Sequence, residues 1–202
     1  MGDHTKMRPN ILGAVAILTL TPLAAKAAFI VDITQVGANV VASGSGSIDT
    51  TDLTNKGSGF TSYGSAVSAS DGWLYITPGS VSNETGWQFS GGPTSFGSGG
   101  LHFASSETGD SFVFQAVGGD QIYLPSSYVS GSALSDTETW DTKTIASLGL
   151  TPGTYTWTWG NGADADSFTL QIGAVPEPAT LSLLGAALVG IGAVRRRGKR
   201  SA

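Results

Sequence analysis

At 202 residues the chain has the length of one domain with appendages, and its 40 % hydrophobic content exclude a disordered polymer. It has no cysteine, which excludes disulfides, thiolate zinc sites and thiol nucleophiles. The overall charge is −5, but residues 28–173 hold thirteen acids against Lys56 and Lys143; such a surface repels phosphate backbones and argues against nucleic acid as a partner.

Read from Met7, the chain begins with Arg8 and an apolar run from Ile11 to Leu20, broken at Pro22. Ala25 and Ala27 then put small residues at the two positions a signal peptidase reads, before Ala28. These parts, in this order, predict a secretory signal peptide over 1–27, cut after Ala27. The competing reading is a buried N-terminal helix.

Residues 28–173 read as one all-β domain. Glycine, serine and threonine abound, and charges are sparse. Strands are expected near 29–36, 38–48, 73–77, 84–89, 101–104, 110–117, 121–124, 154–159 and 166–172. "GGPTSFGSGG" at 91–100 is a loop by composition, and "DTKTIASLGL" at 141–150 has room for one short helix before Pro152-Gly153. "TYTWTW" at 154–159 alternates aromatic with threonine, and "GNGADA" then connects it to "DSFTLQI" as a hairpin. "DSFxxQ" occurs at both 110–115 and 166–171, which hints at equivalent strands. Many short strands joined by polar turns predict an antiparallel β-sandwich, jelly-roll-like in kind.

Within this domain three groups of residues carry candidate chemistry. Trp157 and Trp159, with Tyr155, make a stripe that would stack on sugar rings if exposed, or would form the inner face of the sandwich. Trp73, Trp87 and Trp140 have no assigned place. Asp164 and Asp166, near Asn161, are oxygen donors of the kind Ca²⁺ takes, or else a solvated hairpin; no bidentate glutamate stands at the offset of an EF-hand. His102 is the one histidine here, so any Ser-His-Asp triad must use it, and no Gly-x-Ser-x-Gly elbow is present. A glycosidase needs two facing carboxylates, and no pair stands out. No catalytic residue and no required cofactor are expected.

The C-terminal segment has a different character. Val175-Pro176-Glu177-Pro178 is followed by sixteen uncharged residues, Ala179 to Val194, and then by Arg195, Arg196, Arg197, Lys199 and Arg200. A helix over 179–194 reaches about 24 Å, and the arginines can snorkel to extend it across a ~30 Å hydrocarbon core. The one-sided basic cluster places the C-terminus in the cytoplasm, giving a single transmembrane helix with the β-domain outside. The prolines fix an extended segment at the membrane surface.

This ordered set over residues 174–202 resembles the PEP-CTERM sorting signal of Gram-negative, exopolysaccharide-producing bacteria. The resemblance implies that Pro176, Glu177 and Pro178 are read by exosortase, a membrane-embedded cysteine transpeptidase, and that the helix and tail are removed or exchanged nearby. The stretch from "YVSGSALSDTETW" to the motif is also similar to recurrent PEP-CTERM ectodomains, with no activity attached. The expectation is an exported, non-enzymatic protein, anchored in the inner membrane as a precursor and then held at the cell surface or in the polysaccharide matrix. Signal peptidase and exosortase would be its processing partners. A carbohydrate-binding module using an aromatic face is the first alternative, and a secreted hydrolase the second.

Overall fold

The computed structural model describes residues 28–173. The predicted signal peptide, with Ala25 and Ala27, lies outside the described residues, as do the Pro176-Glu177-Pro178 motif, the apolar span and the basic cluster.

Thirteen strands are present among the described residues. In chain order they are β1 (Phe29–Val36), β2 (Asn39–Ser47), β3 (Thr54–Tyr63), β4 (Ala66–Ser68), β5 (Trp73–Ile76), β6 (Ser80–Gln88) and β7 (Leu101–Phe103). They continue with β8 (Ser106–Gly109), β9 (Phe112–Gln115), β10 (Gln121–Leu124), β11 (Ala133–Trp140), β12 (Gly153–Trp159) and β13 (Asp166–Ile172). A six-stranded sheet runs β12-β13-β1-β2-β11-β8, and a seven-stranded sheet runs β3-β6-β10-β9-β5-β4-β7.

The sheets pack face to face through aromatic rings. Phe29 of β1 meets Phe112 of β9 with ring centres 4.4 Å apart, and Phe114 meets Phe168 at 4.6 Å and Trp157 at 4.5 Å. The two strands of the "DSFxxQ" echo stand in opposite sheets and face each other, with Phe112 and Phe168 5.1 Å apart. The expected sandwich is therefore present. Its pairing is antiparallel except between β1 and β13, which are parallel.

One local expectation is corrected. Residues 141–150 form turns instead of a helix. Thr144 and Ser147 exchange side-chain and backbone hydrogen bonds, and Gly149 reverses the chain at φ +63°, so one turn is all that fits. This turn seats Leu148 and Leu150 in the core. The 160–165 connection is a hairpin as expected, with a short 3₁₀ turn at Gly162–Asp164.

The outer faces of the two sheets differ sharply. The six-stranded sheet presents hydroxyls in cross-strand register: Thr156 opposite Thr169, Ser45 opposite Ser135, and Ser43 opposite Thr137, which is in turn opposite Thr108. The seven-stranded sheet presents aromatic rings.

Candidate functional site: an aromatic outer face

The sequence-derived sugar-stacking pair is corrected by its position. Trp157 is 1 % exposed and Trp159 7 %, so both belong to the core. Trp157 stacks on Phe168 with ring centres 5.3 Å apart and planes 16° apart. Each buried indole N–H finds a carbonyl, as burial of that donor requires: Trp157 donates to Pro93 (2.8 Å) and Trp159 to Asp49 (2.9 Å). The threonines of β12 take the solvent side.

The aspartates near the β12–β13 hairpin diverge. Asp166 is buried, and its carboxylate accepts backbone N–H bonds from Asp49 and Ser167, each at 2.6 Å. It ties the hairpin to the 48–50 segment, while Asp164 stays exposed. Among the described residues no three acidic or histidine side chains converge on a point that would hold a metal ion. His102 lies on β7, and its main-chain carbonyl accepts the Trp140 indole N–H at 3.1 Å; among the described residues no hydrogen bond joins its imidazole to a serine or an acid. Among the described residues lining a cleft of about 420 Å³ beside Trp159, Asp52 is the one carboxylate, where a glycosidase needs two.

Two acids occupy core positions that sequence reasoning did not single out. On β11, Leu134, Asp136, Glu138 and Trp140 all point inward. Asp136 is 5 % exposed and Glu138 1 %, and no carboxylate oxygen of either has a hydrogen-bond partner among the described residues. Burial pushes Asp136 up to about 7; Asp110 adds to the rise, while the adjacent Gly44 amide opposes it without completing a hydrogen bond of good geometry. Burial pushes Glu138 up to about 10, with Asp136 and then Glu107 adding to the rise. Glu107 sits directly opposite Glu138 on β8.

The surface feature that stands apart is on the seven-stranded sheet. In β5, Leu74 and Ile76 point into the core, so Trp73 and Tyr75 point out; in β10, Ile122 and Leu124 point in, so Tyr123 points out. Tyr123, Val113, Tyr75 and Ala66 are cross-strand neighbours in one row. Gly86 opens that row, and its missing side chain leaves space for Tyr123. Phe60, from β3, stacks on Tyr123 at 3.9 Å and meets Tyr75 edge-on at 6.1 Å. Together these rings roof Val113, which is fully buried although it points outward.

Trp73 and Tyr75 lie with ring centres 6.0 Å apart and planes 15° apart. Their orientation is held by polar bonds: the Trp73 indole donates to the Val117 carbonyl (3.0 Å), and the Gln115 amide donates to the Tyr75 hydroxyl. A groove of about 210 Å³ runs alongside, bordered by Phe60, Tyr63, Trp73, Tyr75, Leu101 and Phe103. Tyr63 is 81 % exposed and Phe103 61 %. Among the described residues none that lines the groove is charged. Glu84, in register with Phe60, is buried beneath this face; burial raises its pKa, although Ser111 donates a hydrogen bond to it.

Comparison with known proteins decides the character of the C-terminal segment. The PEP-CTERM protein-sorting motif matches residues 174–197. The chain carries a PEP-CTERM sorting signal. No curated protein and no solved structure matches the chain. A PEP-CTERM signal marks a sorted, exported protein with a membrane-anchored precursor, handled by exosortase-type machinery. In this chain β13 ends at Ile172, just before the motif begins, and the Gly173 amide is tied to the Ile33 carbonyl at 2.8 Å. Among the described residues no helix is long and apolar enough to cross a membrane.

Proposed function

We propose that this PEP-CTERM protein is a non-enzymatic surface protein of the extracellular polysaccharide matrix. Signal peptidase cuts after Ala27, and the 179–194 span with its basic cluster from Arg195 to Arg200 holds the precursor in the inner membrane. Exosortase then processes the chain near Pro176-Glu177-Pro178, and the β-sandwich is delivered to the surface or the matrix. The observation that carries this reading is the sorting motif at 174–197. The fold is compatible with it, because β13 ends at Ile172 and processing at the motif cuts none of the described strands. No cofactor is invoked.

The test is the intact mass and location of the protein in its host, with and without Pro176, Glu177 and Pro178 replaced by alanine. The expected wild type begins at Ala28, ends near Pro178 and lies outside the cell, while the variant keeps its basic tail and stays in the membrane. If both forms retain Arg200 in the membrane, the segment is a plain anchor and the exosortase step is wrong.

A further inference from the structure

We propose that the outer face of the seven-stranded sheet, centred on Trp73 and Tyr75, binds an uncharged hexopyranose polymer. The proposal deepens the matrix reading above and rests on it for the biological source of the polymer. Its chemistry stands on the face itself.

The C–H faces of a pyranose ring are apolar and its edge carries hydroxyls, so a sugar-binding surface needs flat rings for the first and fixed polar groups for the second. Trp73 and Tyr75 supply near-parallel rings 6.0 Å apart. The Gln115 amide stands at the edge of that strip, and Gln121 is opposite Gln115 on β10. The rings are fixed before any ligand arrives, because Trp73 is bonded to Val117 and Phe60 packs against Tyr75 and Tyr123. A fixed platform loses little conformational entropy on binding.

Charge selects the class of polymer. Of the thirteen acids of the described domain, Glu84, Asp136, Glu138 and Asp166 are buried, and the nine others still outnumber its two lysines, so a polyanionic glycan is repelled before contact. The described residues that line the groove beside the platform are all uncharged, which matches a neutral chain. The other sheet offers a contrast within the same molecule: its outer face is covered with serine and threonine, as a solvated sheet face ordinarily is. The aromatic face is instead an apolar patch left open, with Tyr63, Leu101 and Phe103 all more than half exposed.

The test is affinity electrophoresis of the full chain in mild detergent, through gels containing hydroxyethylcellulose, galactomannan or alginate. Sorting does not enter this measurement, so its failure is separable from failure of the exosortase reading. Retardation is expected in at least one neutral polymer and not in alginate. Trp73→Ala and Tyr75→Ala are each expected to weaken it about tenfold, the equivalent of about 1.4 kcal/mol. Thr156→Ala, on the hydroxyl face, leaves it unchanged, and near-ultraviolet circular dichroism verifies that each variant is folded. No retardation in either neutral polymer, or equal retardation in alginate, overturns the proposal. So does a sedimentation profile in which Trp73→Ala turns a dimer into a monomer without changing retardation, because the face is then an interface between copies.

Discussion

Asp136 and Glu138 bury two carboxyl groups whose oxygens have no hydrogen-bond partner among the described residues. An ionised carboxylate there loses its hydration without compensation, so the folded state holds both protons more tightly than the unfolded chain does. The folded chain therefore binds more protons, and stability falls as pH rises. For Asp136 the loss runs from its ordinary value of 3.8 up to about 7, and for Glu138 from 4.5 up to about 10. Each group costs up to about 1.4 kcal/mol per pH unit in its window. The melting temperature is expected to fall by several degrees between pH 5 and pH 7, the reverse of a domain held by ion pairs. Glu138→Gln should raise the melting temperature at pH 8 and flatten its dependence on pH, as read by calorimetry across that range. The tryptophans make a second residue-scale prediction. Trp157→Ala empties a core site and strands the Pro93 carbonyl, costing about 3–5 kcal/mol in denaturant unfolding. Trp73→Ala, on the surface, should cost distinctly less.

At the scale of elements, legibility followed how each strand is buried. β10, β12 and β13 alternate visibly in the sequence, whereas β5, "WLYI", is aliphatic in one phase and aromatic in the other. β11 alternates just as regularly, but two of its four inward residues are acids, so its hydrophobic period is broken. β8 is an edge strand, "SETG", with nothing apolar to read. β3 is a bulged edge strand, polar apart from Phe60 and Tyr63, whose register shifts three times. The aromatic face has its own sequence signal: in "WLYI" and "QIYL" the aliphatic residues share one phase, which sends the aromatics to the other side. In "TYTWTW" the competitor is threonine, so the aromatics go inside. β2 and β11 are also locked by a contact that can be tested. A Cβ at Gly44 would stand 2.2 Å from the Asp136 Oδ1. Gly44→Ala should destabilise by about 1–3 kcal/mol, and most of that cost should disappear when Asp136→Ala is also present. A double-mutant cycle of unfolding free energies measures the coupling.

For the whole molecule, the position of β13 matters most. It lies between β12 and β1, inside its sheet, and carries Phe168 and Leu170 into the core. The last strand before the sorting motif is thus integral to the fold, with the processing segment immediately after it. Cleavage near Pro178 is expected to leave the melting temperature unchanged, whereas truncation before Asp166 should abolish cooperative unfolding. Calorimetry of the processed, unprocessed and truncated forms compares them directly.

By itself the sequence determined the sorting signal, the all-β class and the sparse, acidic surface. Each of these depends on residues that are adjacent or nearly so: an ordered motif, a two-residue alternation, a composition. Tertiary structure alone decided which aromatics are buried and which are open, and that two acids of β11 lie in the core. Those outcomes depend on which face of a strand meets the other sheet, and that is set by strands distant in sequence, such as β1 pairing in parallel with β13.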